Sequence, residues 1–302
     1  MGLSIYNIKK WTRMLTGKSI EHVNQGVGKV YSIPEIKGYY NDLTEKVTKG
    51  VDLYDVKLPK LKIENGDEVL FPIAIFQYGL GAYDLYLLKK DKLFLDKFNL
   101  CVEWALDTQQ RDGSWDNFFF KFPDAPYSSM AQGEGVSLLI RAYKEFNDEK
   151  YLVAAEKAIN FLIIPLEKGG TTKYVNGDVF LLEATNKPTI LNGWIFSLFG
   201  LYDYIKVVND DKVRSIYDRS VQTLINHMGD FDNGYWSKYD LGKMIASPFY
   251  HNLHVSLLDA MYEITNESIF KDFSTKWNRY QNNLVNKNYA LFKKAVQKIV
   301  EK

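Results

Sequence analysis

Four times between Phe71 and Asn283 the sequence sets two runs of helical apolar spacing around a tight polar joint. The joints are Lys89-Lys90-Asp91, Asn147-Asp148, Asn209-Asp210-Asp211 and Asn266. Counted at Asp91, Asp148, Asp210 and Asn266, they lie 57, 62 and 56 residues apart. The runs predict helices over 71–88 and 92–109, 127–146 and 149–164, 189–208 and 212–228, and 250–265 and 268–283. One such hairpin cannot bury its apolar faces alone, so a repeat of this length reads as an α-solenoid or an α/α toroid. The linkers between pairs, 111–126, 167–188 and 229–248, are longer and carry Gly, Trp and polar residues. Asp112-Gly113-Ser114-Trp115 and Asn233-Gly234-Tyr235-Trp236 have the form of β-turns, and 173–182 around Asn176-Gly177 that of a small hairpin. Long loops at one end of a helical toroid are the natural place for a site.

The expected fold is therefore mainly α: an α/α barrel (toroid) of about four helical hairpins, with small β-hairpins in the loops and a short irregular N-terminal arm. The arm is assigned to residues 1–68 and the barrel to 69–302. In the arm, Ile5, Ile8, Trp11, Met14 and Leu15 share one helical face, with Lys9, Lys10, Arg13 and Lys18 nearby. A basic amphipathic helix of this kind lies on a membrane or a partner, or packs back on its own domain. Residues 1–20 are thus a candidate peripheral membrane contact. Residues 21–68 are expected to hold a short helix around 39–48 and one or two strands around 53–63.

Formal net charge is +1, which gives no nucleic-acid footprint. The lone Cys101 excludes an internal disulfide and a Cys-rich metal site. No run of 18 apolar residues is present, and the N-terminus lacks the apolar stretch of a signal peptide, so a cytoplasmic protein is expected. The 21 tyrosines and 6 tryptophans bear on function, because such rings line carbohydrate clefts; they also fill helical cores.

The first helix of each pair opens on a polar or aromatic residue, mostly beside a small one: Gln77-Tyr78-Gly79, Gln132-Gly133-Glu134-Gly135, Leu191-Asn192-Gly193-Trp194 and Tyr250-His251-Asn252-Leu253-His254. Ser128 or Ser129 can cap the second of these helices. In a toroid such positions converge on one rim. His251 and His254 share a helix face, but no H-E-x-x-H pattern supplies further zinc ligands, so no metal is expected. Neutral histidines donating to a ligand carboxylate, or capping groups, fit better. No G-x-S-x-G elbow or P-loop occurs, which disfavours covalent serine chemistry and phosphate handling. What remains is a tyrosine-rich cleft lined by His, Asn and Gln, with acids such as Glu183 and Asp240.

Between about Val69 and Asn283 the chain resembles the C-terminal catalytic domain of the D-glucuronyl C5-epimerase family. The residues that carry the resemblance are Phe71-Pro72-Ile73 with Gln77-Tyr78-Gly79-Leu80; Gln109 with Asp112, Gly113 and Trp115; and Tyr127-Ser128-Ser129-Met130-Ala131-Gln132-Gly133 with Arg141-Ala142-Tyr143. They continue in Leu191-Asn192-Gly193 with Gly200-Leu201-Tyr202-Asp203, Tyr239-Asp240-Leu241, and Tyr250-His251 with His254. The resemblance implies an α/α barrel that inverts C5 of glucuronate in a heparan- or heparosan-type polymer, without a cofactor, by tyrosine-mediated proton removal and return. It implies catalytic roles for Tyr250, Tyr239 and Glu183. Gln132, Asn192, His251, His254, Tyr127, Trp115, Tyr78 and Lys243 become candidate substrate-binding residues. The expected partner is a uronate-containing polysaccharide or oligosaccharide, and a homodimer is a candidate assembly.

Two positions depart from the family pattern. Glu183 is followed by Ala184 where the family has a tyrosine, and Tyr239-Asp240-Leu241 by Gly242 where the family has an arginine. Lys243, Tyr174 and Tyr127 are candidate substitutes. The departures keep two alternatives open: a polysaccharide lyase on the same scaffold, which also begins with C5 proton removal, and a non-catalytic glycan-binding protein.

Overall fold

The computed structural model describes residues 13, 19, 22–50 and 52–300, the side chains of 298 and 299 excepted. The amphipathic helix expected at 1–20 thus lies outside the described residues but for two positions. A one-turn helix α1 (Thr44–Thr48) and the two-residue strands β1 (Leu61–Lys62) and β2 (Glu68–Val69) come first, the strands paired antiparallel. The helical hairpins follow: α2 (Pro72–Lys89) with α3 (Lys92–Thr108), α4 (Ser129–Phe146) with α5 (Glu149–Leu162), α6 (Leu191–Ile205) with α7 (Asp211–His227), and α8 (Pro248–Thr265) with α9 (Ser268–Asn282). Between the second and third pairs lie β3 (Thr172–Val175) and β4 (Asp178–Leu181), joined through Asn176 at φ 50° and Gly177 at φ 96°. The protein is an α/α toroid with small hairpins, as the repeat predicts. One element was not expected: a last helix, α10 (Leu284–Val300), follows the fourth pair.

The joints show why the repeat is legible. Lys90, Asn147 and Asn266 end α2, α4 and α8 in the left-handed region, at φ 55°, 53° and 59°. Asp91 and Asp148 then cap the next helix, each accepting at 3.0 Å from the N–H two residues on. Asp210 caps α7 through the Val213 N–H at 3.0 Å.

Burial separates inner from outer helices. α4 is buried continuously from Ser129 to Ala142 and α6 from Leu191 to Leu201, whereas α3, α5, α7 and α9 bury only a stripe. α4 and α6 run parallel, since their contacts advance together: Ser197 donates to Ser129 at 2.8 Å, Gly133 meets Ser197 and Gly200, and Arg141 pairs with Asp203 at 2.6 Å. A Cβ on Gly133 would sit 2.7 Å from the Ser197 Cα, and one on Gly200 would collide with the Gly133 backbone. These glycines let two inner helices approach backbone to backbone. Gln77 with Glu134 and Tyr83 with Glu145 show the same parallel advance for α2 and α4. Because the inner helices are parallel, the segments 109–128, 163–190 and 228–247 all return to one rim.

The opposite end is closed by residues 31–43. The Tyr39 N–H donates to Asp84 at 2.9 Å, Tyr40 donates to Asp203 at 2.6 Å, and Arg141 donates to the Gly38 carbonyl at 2.9 Å. Tyr31 reaches Glu263 of α8 at 2.6 Å, so this segment ties the first inner helix to the last. Tyr39, Tyr40, Leu43 and Val47 belong to the same hydrophobic core as the helices. Among the described residues no helix is long and apolar enough to cross a membrane.

Candidate active site

Four of the sequence-predicted residues meet on the rim where α6 and α8 begin. Strand β4 leads into Leu182, whose carbonyl accepts from the Ser129 N–H at 3.0 Å, so Glu183 lands beside the first turns of α4 and α6. Asn192, in the first turn of α6, donates to the Glu183 carboxylate at 3.3 Å. The Gly193 position is occupied from outside by Glu183, whose side chain would clash with any Cβ there. Residues 189–191 bond to 239–241 through Leu191 N–H to the Tyr239 carbonyl (3.1 Å) and Leu241 N–H to the Thr189 carbonyl (2.9 Å). That pairing carries Tyr239 to the start of α8. There its ring meets Tyr250 edge to face, centroids 4.8 Å apart, and the two side chains share a hydrogen bond. Ser247 caps α8 and fixes its first turn.

The electrostatics of this group follow from burial. Burial pushes the Glu183 carboxyl up to about 7, although the nearby Lys121 charge and the Asn192 hydrogen bond pull it back. Burial also holds the Tyr239 hydroxyl well above the usual tyrosine range, with the charge of Glu183 and the contact with Tyr250 adding to it. Tyr239 is therefore protonated at neutral pH. Asp240 Oδ1 accepts from the Gly242 N–H at 2.9 Å and shapes the turn that follows.

The other candidates are placed differently. Gln132 is buried and its amide is engaged within the fold: Nε2 donates to the Gly113 carbonyl at 2.9 Å and the Ala158 carbonyl at 3.3 Å, and Oε1 accepts from the Trp115 N–H at 3.2 Å. Trp115 is buried with its Nε1 on the Ala105 carbonyl at 3.0 Å, and one edge lines a shallow groove with Trp104 and Phe119. His251 stacks on Trp236 at 3.7 Å; its Nδ1 accepts from the Ser237 N–H at 3.1 Å and its Nε2 lies 3.0 Å from the Trp277 carbonyl. Burial lowers the His251 imidazole to about 4 and the His254 imidazole well below its usual value, so both are neutral. His254 Nδ1 lies 3.0 Å from Ser237 Oγ. Tyr78 is buried and accepts from Lys97 at 3.2 Å. Tyr127 is half-buried with its ring against Phe161. Lys243 is exposed, and its carbonyl accepts from Gln297 of α10 at 2.6 Å. Among the described residues no group of three or more His, Cys, Asp and Glu is arranged to hold a metal ion.

Sequence reasoning missed α10, which carries Lys294. That lysine lies on the inner side of α10, buried, with Nζ 6.0 Å from the centre of the Tyr239 ring. The signal was available as an unbroken helical stretch after Asn283 without Gly or Pro.

Comparison with known proteins identifies the family. The family model described as D-glucuronyl C5-epimerase C-terminus matches residues 86–279, from the end of α2 into α9. A D-glucuronyl C5-epimerase of Caenorhabditis elegans is 30% identical over 212 residues, which cover 61% of this chain and 34% of the relative. An uncharacterized protein of Methanocaldococcus jannaschii is 27% identical over 155 residues, 49% of this chain and 50% of the relative. The aligned region thus spans half or less of these relatives' length. With its helical hairpins, its shared rim and a family match over most of its length, the chain belongs to the D-glucuronyl C5-epimerase family as a divergent member.

Proposed function

We propose that the protein inverts C5 of a uronate residue within a glycan. The C5 proton lies α to the carboxylate, and its removal builds a dianionic enediolate. The reaction needs a base on one face, an acid on the other and hydrogen-bond donors at the carboxylate. The observation that carries the reading is a carboxyl of pKa about 7, Glu183, set beside a protonated Tyr239 that is hydrogen-bonded to Tyr250. A base works best with a pKa near the working pH. In this reading Glu183 takes the C5 proton, the electron pair of that bond enters the C5–C6 bond, and a hydroxyl of the tyrosine pair returns a proton to C5. The sites then exchange protons with water, and in the reverse direction the two roles exchange. Proton removal by a tyrosinate, which the family resemblance implies, is harder here, because burial and the charge of Glu183 both oppose ionisation of Tyr239.

A second reading is favoured by one observation. Tyr239 and Tyr250 touch each other, so they stand together rather than flanking a gap one sugar wide. A lyase needs only one such group: the C5 proton leaves, the glycosidic oxygen departs from C4 with a proton, and a C4–C5 double bond forms. Incubation with a heparosan-type polymer separates the two. Iduronate signals by NMR are expected; an unsaturated uronate would establish the lyase, and an unchanged polymer would contradict both.

A further inference from the structure

The loop between α3 and α4 carries four phenylalanines within five residues, Phe118, Phe119, Phe120 and Phe122, and none of them is fully buried. The loop is nevertheless firmly held. Asn117 is buried and its Oδ1 accepts from the Ile73 N–H at 3.3 Å. The Phe118 N–H donates to the Pro126 carbonyl at 2.7 Å, and the Phe122 N–H to the Phe118 carbonyl at 2.7 Å. Phe71 packs against Phe118 and Phe120 with ring centroids 6.2 and 5.7 Å away. Phe119 is left 43% exposed on this fixed backbone. Apolar surface gathered in one place and kept in water marks a contact site.

Phe119 lines a groove of about 290 Å³ at the C-terminal end of α3. The half-buried Trp104 and one edge of Trp115 add ring surface, and Thr108, Gln110 and Asp116 add polar groups. Gln110 accepts from the Ser114 hydroxyl through its Oε1 at 3.0 Å, which keeps its amide N–H groups for other partners. A pyranose ring has the matching chemistry. Its C–H groups make an apolar face and its hydroxyls surround that face, so it packs on an aromatic ring and hydrogen-bonds at the edge together. The volume stands near the lower bound of about 300 Å³ for small-molecule sites, which suits a single sugar ring. The exposed Asp116 carboxylate accepts from sugar hydroxyls and repels a uronate carboxylate. The groove therefore favours a neutral sugar unit over an acidic one.

The same loop joins this groove to the candidate active site. From Phe119 the ring contacts run to Phe120 at 5.3 Å, through Phe71 to Phe118, and on to Phe122 at 5.7 Å. Lys187, four residues beyond Glu183, lies over the Phe122 ring at 5.3 Å, and the charge of Lys121 acts on Glu183. A glycan with one unit at Glu183 thus has an aromatic track beside it on the rim. We infer that the groove lined by Trp104 and Phe119 is a second glycan subsite, which binds a neutral hexose or hexosamine unit of the chain whose uronate lies at Glu183. This rests on the uronate-glycan reading above. Two subsites on one chain raise affinity for long glycans without adding a contact at the reacting unit.

The test uses a neutral N-acetylglucosamine tetramer, which has no carboxylate to offer the Glu183 site, and follows binding by calorimetry. Wild type is expected to bind it saturably, and Glu183→Gln to bind it equally well. Phe119→Ala should lose about tenfold in affinity and Phe119→Tyr should recover most of it. Phe292→Ala, an exposed ring on α10, should match wild type. Trp104→Ala should also lose about tenfold; because Trp104 packs on Phe76, circular dichroism checks its fold, and the exposed Phe119 keeps the test independent of it. With heparosan-type polymer, Phe119→Ala should raise KM for C5 exchange about tenfold and leave kcat near the wild-type value. A tetramer that fails to bind wild type, or binds Phe119→Ala equally, overturns the inference. Binding of phosphatidylcholine vesicles in place of the tetramer makes the groove a membrane contact and also overturns it. C5 exchange that persists in either case leaves the epimerase reading standing. Tetramer binding that depends on Phe119, with no exchange on any uronate polymer, supports the subsite and counts against that reading alone.

Discussion

The rings of Tyr239 and Tyr250 meet edge to face with centroids 4.8 Å apart, one from the loop before α8 and the other from its first turn. The two side chains share a hydrogen bond, and Tyr239 is held protonated beside Glu183. Tyr250→Phe keeps the ring contact and removes that hydroxyl. C5 exchange is expected to fall by at least about a hundredfold, the usual cost of a lost acid or base, with the thermal midpoint little changed. Normal exchange in a folded Tyr250→Phe protein would remove the tyrosine pair from the mechanism.

Glu183 gives a prediction with two opposite signs. Its carboxyl has a folded-state pKa raised from 4.5 to about 7, so between those values the folded protein binds more protons than the unfolded chain. Its contribution to stability is therefore present at low pH and is lost as pH rises through about 7. Glu183→Gln removes that loss. The variant should gain on the order of 1–3 kcal/mol relative to wild type between pH 5 and pH 8, read from denaturant curves at both pH values. It should also lose C5 exchange. Wild-type exchange should rise with pH through about 7, as the carboxylate form accumulates. A variant that is both active and no more stable at pH 8 would show that Glu183 is an ordinary surface acid.

Gly193 tests whether the position of Glu183 matters. The Glu183 side chain lies over the place a Cβ would take, so Gly193→Ala must push the carboxylate away from Asn192. Exchange should drop more than tenfold, because an ångström of displacement is enough to misalign a catalytic group. The loss in stability should be no more than about 1–3 kcal/mol, as for other overpacked sites. Unaltered kinetics in Gly193→Ala would argue against a defined role for the Glu183–Asn192 contact.

At the far end of the barrel the prediction concerns folding alone. Arg141 and Asp203 are both buried and 2.6 Å apart, and the same pair holds Gly38 and Tyr40 of the N-terminal segment. Asp203→Ala leaves a buried guanidinium without its counter-charge and should cost about 3–5 kcal/mol. A midpoint shift of only a degree or two by differential scanning calorimetry would show that the bridge contributes little.

The sequence carries the helical hairpins openly because their joints are local. A left-handed Asn or Lys followed by a capping Asp needs no partner elsewhere, and both signals fall within two residues. The segment 31–43 is less legible: Tyr39 and Tyr40 are ordered by Asp84, Arg141 and Asp203, which lie 45 to 163 residues away. Its buried part therefore reads as an irregular arm. α10 was missed because it stands outside the paired repeat, and since its apolar residues face outward its pattern gives no sign of what it covers.

The site was legible only in part, for the same reason. Glu183, Asn192, Tyr239 and Tyr250 stand near loop ends and converge once the inner helices are parallel. Gln132 and His251 have the residue types of ligand contacts, yet their hydrogen bonds go to Gly113, Ala158, Ser237 and Trp277. Those partners are 14 to 26 residues away, and nothing at Gln132 or His251 announces them.

Deuterium incorporation at C5 of glucuronate tests the central claim most directly, since proton removal comes before any choice between inversion and elimination. The protein would be incubated with a heparosan-type polymer in D2O and the polymer followed by NMR. The account predicts loss of the C5 proton signal with iduronate appearing, and no such loss with Glu183→Gln. Retention of the C5 proton throughout, with folded wild-type protein bound to the polymer, would contradict it and leave a glycan-binding protein on an epimerase fold.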